Sequence, residues 1–272
     1  MYTILVPTDF SPIADHGLTY AIGLCQRIGE KLIVLHATAN DSAAKLNLLE
    51  EKIAPFRQTL ASSVRKVSVE PLLEIGEFGV NTLEKIVQAQ AVDLIIMGTE
   101  GRNGFANTFF GSHTSQLIGE VSCPVLVVPE NYNGTTITSI GYTSDLKELN
   151  ERLKEIVPFA RQLEASIEIF HVYPVFPQWV DLENFNVHEQ LASLRNDNSY
   201  EKISFHFVHT NQDNDIITGI NEFMRLYRPD LLVMSYRERG MLERLFDHSR
   251  TKNMALQTNI PLLAFPQKQP VD

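Results

Sequence analysis

Ile4-Leu-Val-Pro-Thr-Asp9 is answered in the second half of the chain by Ile140-Gly-Tyr-Thr-Ser-Asp145, and the echo continues from there. Leu32-Ile-Val-Leu-His36 matches Ile167-Glu-Ile-Phe-His171, and Asp93-Leu-Ile-Ile-Met97 matches Asp230-Leu-Leu-Val-Met234. From Gly98 to Pro129 the chain aligns without a gap onto Ser235 to Pro266. Seven of those 32 positions are identical, among them Ser112 with Ser249, Thr114 with Thr251 and Pro124 with Pro261, so the match is more than shared composition. A repeat of about 135 residues is the size of a domain and too long for a solenoid unit. The expectation is a duplicated domain, residues 1–133 and 134–272, with its boundary in the polar, turn-prone stretch Glu130–Thr136.

Within each copy short apolar runs alternate with amphipathic stretches. Tyr2–Val6 reads as a buried strand, stopped at Pro7-Thr8-Asp9. Ser11-Pro12 supplies an N-cap and a proline at the first helical position, opening a helix to about Ile28. Lys31–His36 is a second strand, and Ser42–Val64 a helix in which Pro55 predicts a kink or break. Lys66–Leu73, Val80–Gln90 and Asp93–Met97 follow as strand, helix and strand, then a glycine-spaced loop and a helix from about Ser112. Val125–Val128, held between Pro124 and Pro129, is the fifth strand. Such alternation predicts an α/β fold, a parallel sheet with helices on both faces.

A formal net charge of −10 works against large polyanion footprints, so nucleic acid and anionic membrane surfaces are not expected as partners. The two cysteines, Cys25 and Cys123, have neither the number nor the spacing for a zinc cage or a disulfide framework, which favours a reducing compartment. The opening MYTILVPTDF has no basic n-region, and no segment has the apolar length to span a bilayer, so a cytoplasmic location is expected.

The segment richest in chemistry is Gly98-Thr-Glu-Gly101, running on through Gly104 to Gly111-Ser112-His-Thr114. It leaves a buried strand and enters a helix, where open α/β sheets bind ligands. Glycines let backbone approach a ligand, and a helix beginning at Gly111-Ser112 would present free N–H groups to phosphate. Glycines in a loop also simply make turns, and Ser112 also reads as a plain N-cap. No Walker lysine follows, and the spacing is not that of a dinucleotide fingerprint.

The spacing Gly98-x2-Gly101-x9-Gly111-Ser112, the opening ILVPTDFS and the strand ending Leu35-His36-Ala37 resemble the universal stress protein family, strongly in residues 1–130 and more weakly in 137–267. The resemblance implies one open five-stranded parallel sheet of order 3-2-1-4-5 per copy. It further implies that Val125–Val128 and Leu262–Phe265 pair within the chain as a pseudo-dimer. ATP, with or without magnesium, is the implied ligand. Pro7, Thr8 and Asp9 would lie at its adenosine end, Ala37 at the adenine, Met97 and Gly98 along the ribose. Gly101, Gly111, Ser112, His113 and Thr114 would surround the phosphates. Asp9 also reads as a local cap ahead of Ser11-Pro12.

The second copy departs from the motif: Ser235, Glu238 and His248 replace Gly98, Gly101 and Gly111, although Asp145, Ser249 and Thr251 survive. ATP is therefore expected in the first copy alone. The basic loop of the second (Arg237, Arg239, Arg244, Arg250, Lys252) reads either as a second anion site or as a solvated face paired with Glu238, Glu243 and Asp247. His36 and His171 sit at matching strand ends, as ligands or as a paired structural feature. Trp179, within Pro174–Leu182, reads as a partner loop or as a hydrophobic cover. The functional expectation is a regulatory ATP-binding module read by a protein partner, with homodimerisation open. A slow ATPase or phosphotransferase using Ser112, His113 or Thr114, and a nucleotide-free interaction scaffold, are the alternatives.

Overall fold

The computed structural model describes residues 1–39, 43–99, 117, 120–134, 136–144, 146, 149–174, 187–210, 216–235 and 259–266. They belong to two compact units: one built on residues 1–135 together with the last strand of the chain, the other on residues 136–235.

In the first unit, β1 (Tyr2–Pro7), α1 (Pro12–Ile28), β2 (Gly29–Thr38), α2 (Ala43–Ala61), β3 (Ser68–Ile75), α3 (Val80–Gln90), β4 (Leu94–Thr99) and β5 (Val125–Pro129) follow in sequence. The strands lie in the order β3-β2-β1-β4-β5. All of these pairings are parallel. Beyond β5 the terminal strand of the chain, Leu262–Phe265, adds antiparallel, with Leu263 opposite Leu126. Ile4–Val6, Leu32–Leu35 and Leu94–Met97 are all buried, the mark of strands covered on both faces.

The second unit repeats the plan with β6 (Ser139–Thr143), α4 (Leu149–Leu163), β7 (Ser166–Pro174), α5 (Val187–Asn198), β8 (Ile203–Thr210), α6 (Ile216–Tyr227) and β9 (Leu231–Ser235). Its order is β8-β7-β6-β9, again parallel. The terminal strand is β10 in this numbering. The chain is thus an α/β protein with a mostly parallel sheet flanked by helices.

Local expectations are met at α1, where Ser11 accepts from the Ala14 amide and Pro12 is the first helical residue. Pro55 does not end its helix. α2 runs through it from Ala43 to Ala61, held down by buried Leu49 and Ile53 before the proline and Leu60 after it. The third strand begins two residues later than expected and runs on to Ile75, because its register with β2 carries it to Thr38.

Small devices recur between the units. Before β4, Asp93 donates its amide to Thr3 O (2.9 Å) and accepts the Thr3 amide on Oδ2 (2.8 Å), clamping the start of the central strand. Before β9, Asp230 donates to Ser139 O and accepts the Thr138 amide (2.7 Å), the Thr138 hydroxyl (2.8 Å) and the Ser139 amide (3.1 Å). Arg57 Nε donates to Val69 O at the edge strand of one unit, and Arg195 Nε to Ile203 O at the edge of the other. Asp230→Ala strands two backbone donors and is expected to cost about 1–3 kcal/mol in urea unfolding, more than Asp93→Ala, which strands one.

The β7–β8 pair carries a histidine–carboxylate contact, where the β2–β3 pair carries Lys31 with Glu70. Glu168 Oε2 meets His206 Nε2 at 2.8 Å, and the His206 ring lies 4.1 Å from that of Tyr227. The hydrogen bond from His206 foremost, with those from Ser166 and Ser204, holds the Glu168 carboxyl below its ordinary value against the opposing effect of burial. A depressed carboxylate contributes stability that is complete above its unfolded value near 4.5 and is lost as pH falls through the folded value. The stability gap between wild type and Glu168→Gln should therefore narrow below about pH 4.5, followed by denaturation at stepped pH.

Candidate functional site

The strand order reverses in the first unit at the β1–β4 seam: β2 and β3 lie to one side of β1, β4 and β5 to the other. Open α/β sheets bind ligands in the crevice at the carboxyl ends of the strands beside such a seam, and the β1–α1 corner lies at that end. Pro7 and Thr8 are buried, and the Thr8 amide donates to Leu35 O at 2.7 Å. His36 Nδ1 donates to Thr8 O at 2.8 Å from a buried ring. The ends of β1 and β2 are therefore tied together just where the crevice begins.

Asp9 lies beyond this knot and is exposed. Its Oδ1 accepts the Ser11 amide (2.9 Å), a local turn that leads into the Ser11 cap. Its other oxygen has no partner among the described residues. Phe10 takes φ +67°, unusual for a residue with a side chain, and its amide donates to Thr8 Oγ1. The Phe10 ring packs 4.4 Å from His36, and the Lys45 and Lys52 ammonium groups lie 5.4 and 5.7 Å from its centroid. Lys52 also pairs with Asp15 of α1.

The second unit rebuilds this corner with different side chains. The Ser144 amide donates to Phe170 O, His171 Nδ1 donates to Ser144 O at 2.7 Å, and Leu146 takes φ +68° with its amide on Ser144 Oγ. Both histidines are thus backbone clamps, the structural one of the two roles the sequence allows them.

Ala37 is half-buried at the end of β2, where it pairs with Glu74. β1 and β4 pair at Leu5 and Ile95, so the register carried two residues further sets Met97 level with Pro7. Met97 is buried, and the backbone of α1 covers Gly98: a Cβ built there would stand 2.0 Å from Ile13 O. Pro7, Thr8, Asp9, Ala37, Met97 and Gly98 therefore gather at one end of three adjacent strands. Gly101, Gly111, Ser112, His113 and Thr114 lie outside the described residues, as do Asp145, Trp179 and the basic loop of the second copy. Gly17 and the Phe10 corner were not expected; a glycine among helix formers and a large residue between Asp9 and Ser11 are the signals that mark them.

Neither cysteine joins the site. Burial pushes the thiols of Cys25 and Cys123 up to about 12, with Glu84 and Asp93 adding to the effect at Cys123. Iodoacetamide is expected to leave both unmodified in the native protein and to label both in denaturant, read by intact mass.

Comparison with known proteins bears on this arrangement. The universal stress protein family model matches residues 1–129. Over 140 residues the chain is 31% identical to the universal stress protein in the QAH/OAS sulfhydrylase 3′ region of Thermus aquaticus, covering 97% of that protein and 46% of this chain. The chain belongs to the universal stress protein family. A universal stress protein of Synechocystis sp. is 29% identical, covering 96% of its length and 46% of this chain. Among solved structures, a universal stress protein of Archaeoglobus fulgidus superposes with a TM-score of 0.62 at 15% identity, covering 98% of this chain and 96% of that one. The cytoplasmic domain of a prokaryotic cation chloride cotransporter superposes at 0.53 with 12% identity, over 97% of this chain and 94% of that one. The fold is therefore shared by proteins of different roles, and function has to be sought in the site.

Proposed function

We propose that this universal stress protein is a regulatory nucleotide-binding module: ATP occupies the strand-end crevice of the first unit, and a protein partner reads the loaded state. The observation that carries the reading is the gathering of Pro7–Asp9, Ala37 and Met97–Gly98 at one end of the sheet, with a carboxylate oxygen of exposed Asp9 left over. That oxygen suits an adenine amine or a ribose hydroxyl. Gly101, Gly111, Ser112, His113 and Thr114 supply the phosphate end in this reading, and magnesium enters with the phosphates. Among the described residues no three His, Cys, Asp or Glu side chains gather as a metal-ligand group. No helix among them is long and apolar enough to cross a membrane.

The two units are, on this proposal, copies of one domain, residues 1–133 and 134–272. The shared clamps at His36 and His171 and at Asp93 and Asp230 support that reading. The antiparallel pairing of β5 with β10 supports a pseudo-dimer of two 3-2-1-4-5 sheets. Nucleotide binds the first copy alone, because Glu238 and His248 replace the glycines that would let backbone approach phosphate.

Calorimetric titration of ATP with magnesium into nucleotide-stripped wild type is expected to give one site per chain, abolished in Gly111→Glu. Absence of both binding heat and thermal stabilisation would overturn the proposal and leave a nucleotide-free scaffold. Phosphate release from wild type is expected to match a Ser112→Ala control, as a binding module requires and an ATPase does not.

A further inference from the structure

His36 holds both chain neighbours of Asp9. Its Nδ1 donates to Thr8 O at 2.8 Å, and its ring packs 4.4 Å from that of Phe10. Thr8 is fixed at its other polar atoms as well: its amide donates to Leu35 O at 2.7 Å, and its Oγ1 accepts the Phe10 amide at 3.0 Å. Asp9 between them is exposed, with Oδ1 on the Ser11 amide at 2.9 Å. The turn at Phe10, φ +67°, therefore stands on a buried histidine, and that turn places the second Asp9 oxygen. A carboxylate on a loose loop loses backbone and rotamer freedom when it meets a ligand; this one is held in advance on both sides.

The second unit makes half of the same grip. His171 Nδ1 donates to Ser144 O at 2.7 Å, but Leu146 stands at the Phe10 position, with φ +68° and no ring to stack. The His171 ring instead meets Phe207 of β8 edge-on, at 6.5 Å. The backbone clamp, which joins strand to strand, is common to both units. The ring contact, which holds the residue after the aspartate, belongs to the unit where nucleotide is proposed.

We propose that His36 is a positioning residue for ligand selectivity: by fixing Thr8 and Phe10 it aims the free Asp9 oxygen at one hydrogen-bond donor of the nucleoside, so that nucleotides lacking that donor are rejected. This rests on the ATP-binding reading above. The donor is the 6-amine of the base or a ribose hydroxyl, both of which a carboxylate accepts. A hydrogen bond to a charged acceptor separates a ligand that makes it from one that lacks it by about ten- to a hundredfold, provided the acceptor stays in place. With the turn released the carboxylate turns to water, and the discrimination goes with it.

The test is titration of ATP, inosine 5′-triphosphate, 2′-deoxy-ATP and 3′-deoxy-ATP into nucleotide-stripped full-length wild type, Asp9→Ala, His36→Phe and Phe10→Ala, with circular dichroism as the check on folding. Each analogue lacks one donor. Wild type is expected to bind one of them about tenfold or more weaker than ATP, and Asp9→Ala to bring that ratio within about twofold. His36→Phe keeps a ring beside Phe10 but loses the donor to Thr8; it should erase the same ratio and leave the other two unchanged. Phe10→Ala, at a half-buried position, should lower that ratio about threefold or more. Where His36→Phe fails to fold, Phe10→Ala alone decides. A uniform loss for ATP and all three analogues would make His36 merely structural and overturn the inference, as would a ratio that survives in the deciding variant, or wild type that does not discriminate. Wild type that binds no ATP would instead overturn the proposed function, and this inference with it.

Discussion

Phe223→Ala is expected to destabilise the second unit by about 3–5 kcal/mol, the range for emptying a fully packed aromatic site. Phe223 is fully buried, stacked 3.8 Å from Phe170 at 9° between planes, with Tyr227 stacked 4.8 Å away on the same helix. Its room comes from Gly141 of β6, where an added Cβ would stand 2.7 Å from the ring. In the first unit the matching strand position is Leu5 and the matching helix position, counted from Asp93 and Asp230, is Ile86; both are buried. The two units therefore fill the matching volume in two ways, with bulk on the strand in one and on the helix in the other.

A volume exchange of this kind has to be non-additive. Gly141→Leu alone overpacks against Phe223, and Phe223→Ile alone leaves a void. The double substitution rebuilds the arrangement of the first unit and should recover about 1–3 kcal/mol of the summed losses. Urea unfolding of the four proteins measures the coupling. Strict additivity would show that the two positions do not share a cavity.

The same pair shows what the sequence makes legible. Apolar runs such as Leu32–Leu35 announce buried strands because both faces must be covered, and Ser11-Pro12 announces α1 because capping is local. Gly141 could not be interpreted in that way, since its reason sits on a helix far along the chain. The Glu168–His206 pair likewise depends on the register of β7 with β8, which places Phe170 opposite His206 and Glu168 opposite Ser204. Pro55 does not break α2, because helix propensity gives way to the burial of Leu49, Ile53 and Leu60 on either side of it.

At the candidate site the division is similar. Pro7–Asp9, Ala37 and Met97–Gly98, the residues the resemblance implied, fall together at the strand ends because α/β topology brings those ends together. Spacing could not show that Asp9 has one oxygen engaged by Ser11, or that His36 is spent on Thr8 O. Each of those is a contact across a turn or between strands, fixed by distances that spacing does not encode.

Gly98→Val is expected to lower the stability of the nucleotide-free protein by about 3 kcal/mol, the upper end for overpacking. The nearest atoms to a Cβ at that position, at 2.0, 2.9 and 3.1 Å, all belong to Ile13, and the first two are its carbonyl group. That carbonyl lies in the first turn of α1, so relief requires moving the helix or the end of β4. Were Gly98 a glycine only so that a ligand can approach, the valine variant would melt like wild type without nucleotide and lose only the ATP-induced shift. Were it a glycine because α1 sits on it, stability falls before any ligand is added. Thermal melts of stripped wild type and variant, each with and without ATP, separate the two. The second unit predicts the direction: serine stands in the sequence at the aligned position 235, and among the described residues α4 shows no such approach to β9. Ser235→Gly should therefore gain nothing in stability, whereas Gly98→Val loses much of it, because what forbids a side chain at Gly98 is the helix rather than the strand.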